Sequence, residues 1–130
     1  MIESRETVPD DGEQTAVTVH YLSTVHMRIP QKIRKEAWDI LTSMIERIKF
    51  ETGCISCRIY QDILAKEMVM VQELWEDEDS LTKHLRSHEY RNILMVADMA
   101  SEPPEIQFHQ IVRSAGMNTI EDALKRTHVN

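Results

Sequence analysis

Residues 68–76, MVMVQELWE, read as a strand with two apolar faces. Met68, Met70 and Leu74 fall on one side at period two, and Val69, Val71 and Trp75 fall on the other. Immediately after it, Asp77, Asp79 and Ser80 are capable helix N-caps, with acidic residues where the helix dipole favours them. Residues 76–87, EDEDSLTKHLRS, therefore read as a helix. Ser87 caps a further helical stretch, residues 88–100, with Tyr90, Ile93, Leu94 and Ala97 on one side. One kinked helix and two separate helices are both compatible with this pattern. Before the strand, a turn near residues 63–66 leads back to residues 54–62, CISCRIYQD, a second extended run entered through Thr52 and Gly53.

Further out, residues 31–50 place Ile33, Ala37, Ile40, Leu41, Met44 and Ile48 on one helical stripe, with Lys, Arg and Glu elsewhere. Ahead of that helix, residues 16–29 alternate, with Val17, Val19, Tyr21, Val25, Met27 and Ile29 on one face. Pro30 ends this strand and suits a helix start. Pro103 and Pro104 break the chain after the second helical region, and residues 105–113, EIQFHQIVR, alternate again. Residues 118–126, NTIEDALKR, form a short helix in a C-terminal extension spanning 115–130, with Asn118 or Thr119 as cap. Residues 1–15 lack apolar periodicity and read as a flexible acidic tail.

The order strand, helix, strand, strand, helix, strand over residues 16–114 defines an α+β fold, the ferredoxin-like split βαβ arrangement. Its helices lie on one face of an antiparallel sheet. They cannot cover the second apolar face of residues 68–76, so the pattern predicts a homodimer in which two sheets pack face to face as an α+β barrel.

Composition narrows the function. A net charge of −7 and the absence of a basic run argue against nucleic-acid binding, which depends on clustered Lys and Arg. The N-terminal residues lack the basic and apolar regions of a signal peptide, and no segment reaches membrane-spanning length. A cytoplasmic location follows as the expectation, where thiols stay reduced. In a regular strand Cys54 and Cys57 face opposite ways, so they cannot bridge one another. Nor does the C-x-x-C open a helix, as a redox motif would. His84 and His88 would complete a Cys2His2 set, but 26 residues separate Cys57 from His84, far from finger spacing. No metal is expected, and the thiols read as small apolar strand residues.

On the helix over residues 76–87, Leu81, His84, Leu85 and His88 fall on one side. Both imidazoles then border a pocket between helix and sheet, with Trp75 beneath and Met68 and Met70 as soft lining. The pattern R-x-P before the first helix, E-x-G-C entering the second strand, and E-x-W-E-D-x-x-x-L-x-x-H-L-x-S-x-x-Y resembles the antibiotic biosynthesis monooxygenase family. Its residues here are Arg28, Pro30, Glu51, Gly53, Cys54, Glu73, Trp75, Glu76, Asp77, Leu81, His84, Leu85, Ser87 and Tyr90. The resemblance spans about residues 17–113 and implies a dimeric ferredoxin-like barrel with one pocket per subunit.

It further implies a small aromatic substrate, a hydroquinone or polycyclic phenol, oxidised by O2 without cofactor. Such a reaction needs an apolar cavity, a base for the phenolic proton and donors for developing charge. On this resemblance His84 is the base, His88 a second candidate base, and Trp75 a pocket wall and indole donor. Arg28 or His26 would hold an oxyanion, Glu73 would orient the base, and Met70 and Tyr90 would contact substrate. Two other readings stand beside it: a non-catalytic dimeric module binding an aromatic or hydrophobic ligand, and a haem-handling protein. Residues 92–100 offer that last reading no iron-ligating His.

Overall fold

The computed structural model describes residues 5–10 and 13–126. Strands β1 (Arg5–Asp10) and β2 (Glu13–Thr18) pair antiparallel as a separate two-stranded ribbon, which apart from residues 16–18 lies where no apolar alternation marks a strand. The main unit follows: β3 (His20–Arg28), α1 (Gln31–Ile48), β4 (Cys54–Gln61), β5 (Met68–Trp75), α2 (Glu78–Leu85), α3 (His88–Asp98) and β6 (Glu105–Ile111). A last helix, α4 (Met117–Arg126), completes the described chain. The four main strands lie in the antiparallel order β4-β5-β3-β6, which is the ferredoxin-like topology.

The expected strand over residues 16–29 is divided at Val19, and only its second part joins the main sheet. The second helical region is two helices. Asp77 caps α2 by accepting from the Ser80 N–H at 2.8 Å, and Ser87 caps α3 by accepting from the Tyr90 N–H at 3.1 Å. A cap residue favours starting a new helix over continuing the old one, so Ser87 marks the break.

Burial along β5 alternates without interruption. Val69, Val71, Glu73 and Trp75 face the helices and are buried, whereas Met68, Met70, Gln72 and Leu74 face the other way and remain half-exposed. On β3 the residues Tyr21, Ser23, Val25 and Met27 share the helix side. The core lies between that side and the stripe of α1 (Ala37, Leu41, Met44, Ile45, Ile48), together with Ile93, Val96 and Ala97 of α3.

The register corrects one expectation. Cys54 pairs with Trp75 and Ser56 with Leu74, so Ile55 is an extra residue in a β-bulge. The bulge shifts the alternation by one, and Cys54 and Cys57 both come to the helix side rather than to opposite faces. Both are free thiols, Cys57 buried and Cys54 partly so against the core.

Gly53 makes the turn into β4 with φ of +84°, a region costly for residues with a Cβ. A Cβ there would also run into the Ser80 side chain at the start of α2. Gly53→Ala is therefore expected to cost about 2–4 kcal/mol, combining left-handed strain with overpacking. Urea unfolding followed by circular dichroism measures it, and a loss under 0.5 kcal/mol would show that the turn relaxes freely.

Candidate active site

His84 is the centre of a buried polar array. It lies on α2, its side chain is 0% exposed, and the ring stacks on Trp75 with centroids 4.5 Å apart. Tyr90, from the first turn of α3, meets it edge-on at 5.2 Å. Nδ1–H donates to Glu51 Oε1 at 2.9 Å, and Nε2–H lies between the two carboxylate oxygens of Glu73 at 2.9 and 3.0 Å. The Trp75 indole N–H donates to Glu73 Oε1 at 3.3 Å. The array thus joins the turn after α1, strand β5 and helix α2.

Ionised carboxylates only accept hydrogen bonds, so two of them on one imidazole call for protons on both ring nitrogens. Burial works against that positive charge. The hydrogen bond and charge of Glu73, followed by those of Glu51, outweigh it, and the His84 pKa is raised. The Glu51 carboxyl is also raised, because its own burial outweighs the attraction of His84. Burial first, and the negative charge of Glu73 second, push the Tyr90 hydroxyl up to about 12 and the Cys54 thiol to about 11. The Cys57 thiol is raised further for the same reasons. Neither cysteine is therefore a thiolate nucleophile near neutrality.

Two oxygen atoms of this side of the sheet are buried without a hydrogen-bond partner. One is Glu51 Oε2, on a side chain still 24% exposed at the outer end of the array. The other is Ser23 Oγ on β3. Ser23 stands opposite Glu73 on one side and Phe108 of β6 on the other. Directly opposed residues share a face, so Glu73, Ser23 and Phe108 form a row across the helix side of the sheet. The row runs from a fully buried carboxylate to a phenyl ring that is 49% exposed.

Of the residues singled out from sequence, His84, Trp75, Glu73 and Tyr90 come together. The others lie elsewhere. His88 is exposed at the start of α3. His26 and Met70 are partners across the β3 and β5 ladder on the open side of the sheet, where with Tyr60, Gln61, Asp62 and Met68 they line a separate cavity of about 240 Å³. Strand alternation keeps Met68 and Met70 on the opposite face from Trp75, so they do not line its surroundings. Arg28, at the end of β3, is bound to Glu67 at 2.6 Å and Glu102 at 3.2 Å.

Sequence reasoning did not give Glu51 a role, although Glu51 is part of the quoted E-x-G-C pattern. It also passed over Ser23, the polar residue that interrupts the apolar face of Val17, Val19, Tyr21, Val25, Met27 and Ile29. That interruption was the available signal. No group of three or more His, Cys, Asp and Glu able to hold a metal ion occurs among the described residues.

A buried histidine on α2 held by a carboxylate of the third sheet strand, on this topology, is the setting in which the family comparison falls. The family model described as antibiotic biosynthesis monooxygenase matches residues 21–94, more than half of the chain, and the chain belongs to that family. The match supports a monooxygenase at the level of the family.

Among solved structures, a conserved protein from Methanosarcina mazei Go1 is 25% identical with a TM-score of 0.65, covering 70% of this chain and 91% of its own. Rv0793 from Mycobacterium tuberculosis is 17% identical with a TM-score of 0.66, covering 75% of this chain and 99% of its own. The "Putative antibiotic biosynthesis monooxygenase from Nitrosomonas europaea" is 16% identical with a TM-score of 0.66, covering 75% and 94%. The two more distant likenesses concern the fold. No curated protein matches the chain. Among the described residues no helix is long and apolar enough to cross a membrane.

Proposed function

We propose that this chain is a cytoplasmic, cofactor-independent monooxygenase that oxidises a hydroquinone or polycyclic phenol with O2. The observation that carries the reading is the fully buried imidazole of His84 bridged by two carboxylates, an arrangement able to accept a proton at one end and release it at the other. A phenol held against the apolar side of β6 would present its O–H to Ser23 Oγ, which has no partner among the described residues and would have to turn its own O–H to the neighbouring Glu73 to hand a proton on. His84 would pass the charge to Glu51, whose free oxygen stands at the outer end. Deprotonation makes the ring electron-rich enough to reduce O2. One oxygen atom then enters the ring carbon, the C–H proton is lost, and the O–O bond breaks with release of water. For a simple phenol the sum is phenol plus O2 giving quinone plus water.

The revised roles follow from burial. His84 acts through its carboxylates rather than by touching substrate, since both ring nitrogens are engaged and the ring is enclosed. Trp75 supports the array, its N–H being spent on Glu73. We also infer a homodimer through the open sheet side, where Leu22, Met68, Met70 and Leu74 leave apolar surface half-covered.

Oxygen uptake by the purified chain, with chelator present, against a panel of hydroquinones and naphthols tests the oxygenase. Saturable uptake is expected, with kcat about 100-fold lower in Glu51→Gln, the size associated with losing a general base path. Binding of a non-oxidisable analogue should be unchanged in that variant. The engaged nitrogens of His84 favour, as a second reading, a dimeric module that binds an aromatic ligand without turnover. Uptake no faster than autoxidation, with the analogue still bound, would establish that module instead.

A further inference from the structure

The C-x-x-C of residues 54–57 takes no part in the chemistry around His84. A regular strand would turn its two thiols to opposite faces, but the bulge at Ile55 brings both to one. Cys54 stands opposite Trp75 and Cys57 opposite Glu73, two positions apart on β5, so their α carbons lie about 6.7 Å from one another. Together they line a cavity of about 440 Å³ along β4, the outer strand of the sheet, with Lys49, Ile55, Ser56 and Arg58. The two thiols are near enough to act on each other: after burial and the charge of Glu73, a thiolate at Cys54 is the next cause that raises Cys57. Cys57 is 2% exposed, and neither sulfur makes a hydrogen bond among the described residues.

Two free thiols on one cavity can be joined by a disulfide or by a metal ion. Their separation is at the outer end of the range that a disulfide spans. A metal ion between two sulfurs, with bonds of about 2.3 Å each, bridges roughly twice the length of an S–S bond, so it fits without drawing the strand together. The ligand set then chooses the ion. Thiolates select Cu(I), zinc and iron–sulfur clusters. Zinc and the clusters take four ligands, and among the described residues no third His, Cys, Asp or Glu completes such a group. Cu(I) makes no such demand and is held by two thiolates in a line.

Charge agrees with this choice. Two thiolates and one Cu(I) carry one net negative charge, and Lys49 and Arg58 line the same cavity. Arg58 makes no ion pair among the described residues, and Lys49 meets Glu46 at 3.1 Å. Lys49 also works against the burial that raises Cys57. The opposing charges, Glu51 and Glu73, are both engaged by His84.

We infer that Cys54 and Cys57 form a two-coordinate Cu(I) site at the edge of the sheet, and that the bulge at Ile55 is what turns both sulfurs to it. Loading forms two Cu–S bonds and releases two thiol protons to solvent, with no change of oxidation state. The inference rests neither on the oxygenase reaction nor on the dimer.

The test is anaerobic titration of the full, reduced chain with Cu(I) supplied from a chromophoric chelator. One ion per chain is expected, with two protons released and X-ray absorption showing two sulfur neighbours and no nitrogen. Excess zinc should not displace the ion. Removing an outer partner of a metal site already costs about 10–100-fold in affinity, so removing either thiol should cost about 100-fold or more. Cys54→Ser makes the change at a partly exposed position. Cys57→Ala keeps a small apolar side chain in the core, and if circular dichroism shows that variant unfolded, Cys54→Ser alone decides. Affinity unchanged in a folded variant overturns the site. So does one ion shared by two chains, a nitrogen neighbour, or no copper taken from the chelator.

Discussion

His84→Ala is expected to remove about 3–5 kcal/mol of unfolding free energy, the cost of taking one member from a buried ion array. The loss has two sources. The imidazole is fully enclosed between Trp75 and Tyr90, so its removal opens a cavity beneath α2. More important, Glu73 at 1% exposure, and to a lesser degree Glu51 at 24%, lose the partner that makes their burial tolerable. Domains of this size are stable by only about 5–15 kcal/mol, so the variant should sit close to the edge of folding. The double variant His84→Leu, Glu73→Leu replaces charge by apolar volume on both sides and should lose less than the sum of the two single changes to alanine. Urea denaturation of the set measures this. A loss below about 1 kcal/mol in His84→Ala would mean that the array contributes nothing net to stability.

The second large effect is a progressive loss of stability on the alkaline side. Tyr90 titrates at about 12 in the folded chain against an ordinary 10.0, and Cys54 at about 11 against 9.0. Between each pair of values the folded chain retains a proton that the unfolded chain gives up. Stability therefore falls as pH rises from about 9 and continues to fall until the folded value is passed. A two-unit difference corresponds to about 3 kcal/mol for the enclosed Tyr90, and to less for the partly exposed Cys54.

His84 acts in the same direction at lower pH. Its raised pKa contributes stability fully present below the unfolded value of 6.5 and lost as pH rises through the folded one. Glu51, a carboxyl raised rather than depressed, also has its protonated form favoured by folding, so its contribution declines from above 4.5. All four groups push one way. Denaturant midpoints from pH 6 to 11 should decline throughout, and Tyr90→Phe should flatten the part above pH 10. Midpoints that stay level across that range would refute the assignment.

Much of the fold is legible because few arrangements satisfy the patterns in residues 68–76 and 31–48. A strand apolar on both sides needs cover on both, and a single helical stripe needs one sheet to face. The bulge at Ile55 carries no Gly or Pro and leaves no mark on the alternation, so only the observed pairing with Trp75 and Leu74 reveals that both cysteines share a side. The β1 and β2 ribbon is hidden for a related reason: backbone pairing alone needs no apolar periodicity. At the site, Glu73 reads as a polar residue in an apolar strand and His84 as a helix residue near a stripe. That they meet is implied only by the family resemblance, because how α2 lies over the sheet is not contained in eleven residues of spacing. His26 and Met70 illustrate the converse, since they meet each other but on the wrong side of the sheet for that site.

The placement of β6 separates kinship from choice along this chain. Glu51, Gly53, Glu73, Trp75 and His84 all lie within residues 21–94, the span that the family model matches. Ile106 and Phe108 come after that point. A relative could change those outward side chains while β6 stays paired along β3, and would still be recognisable by residues 21–94.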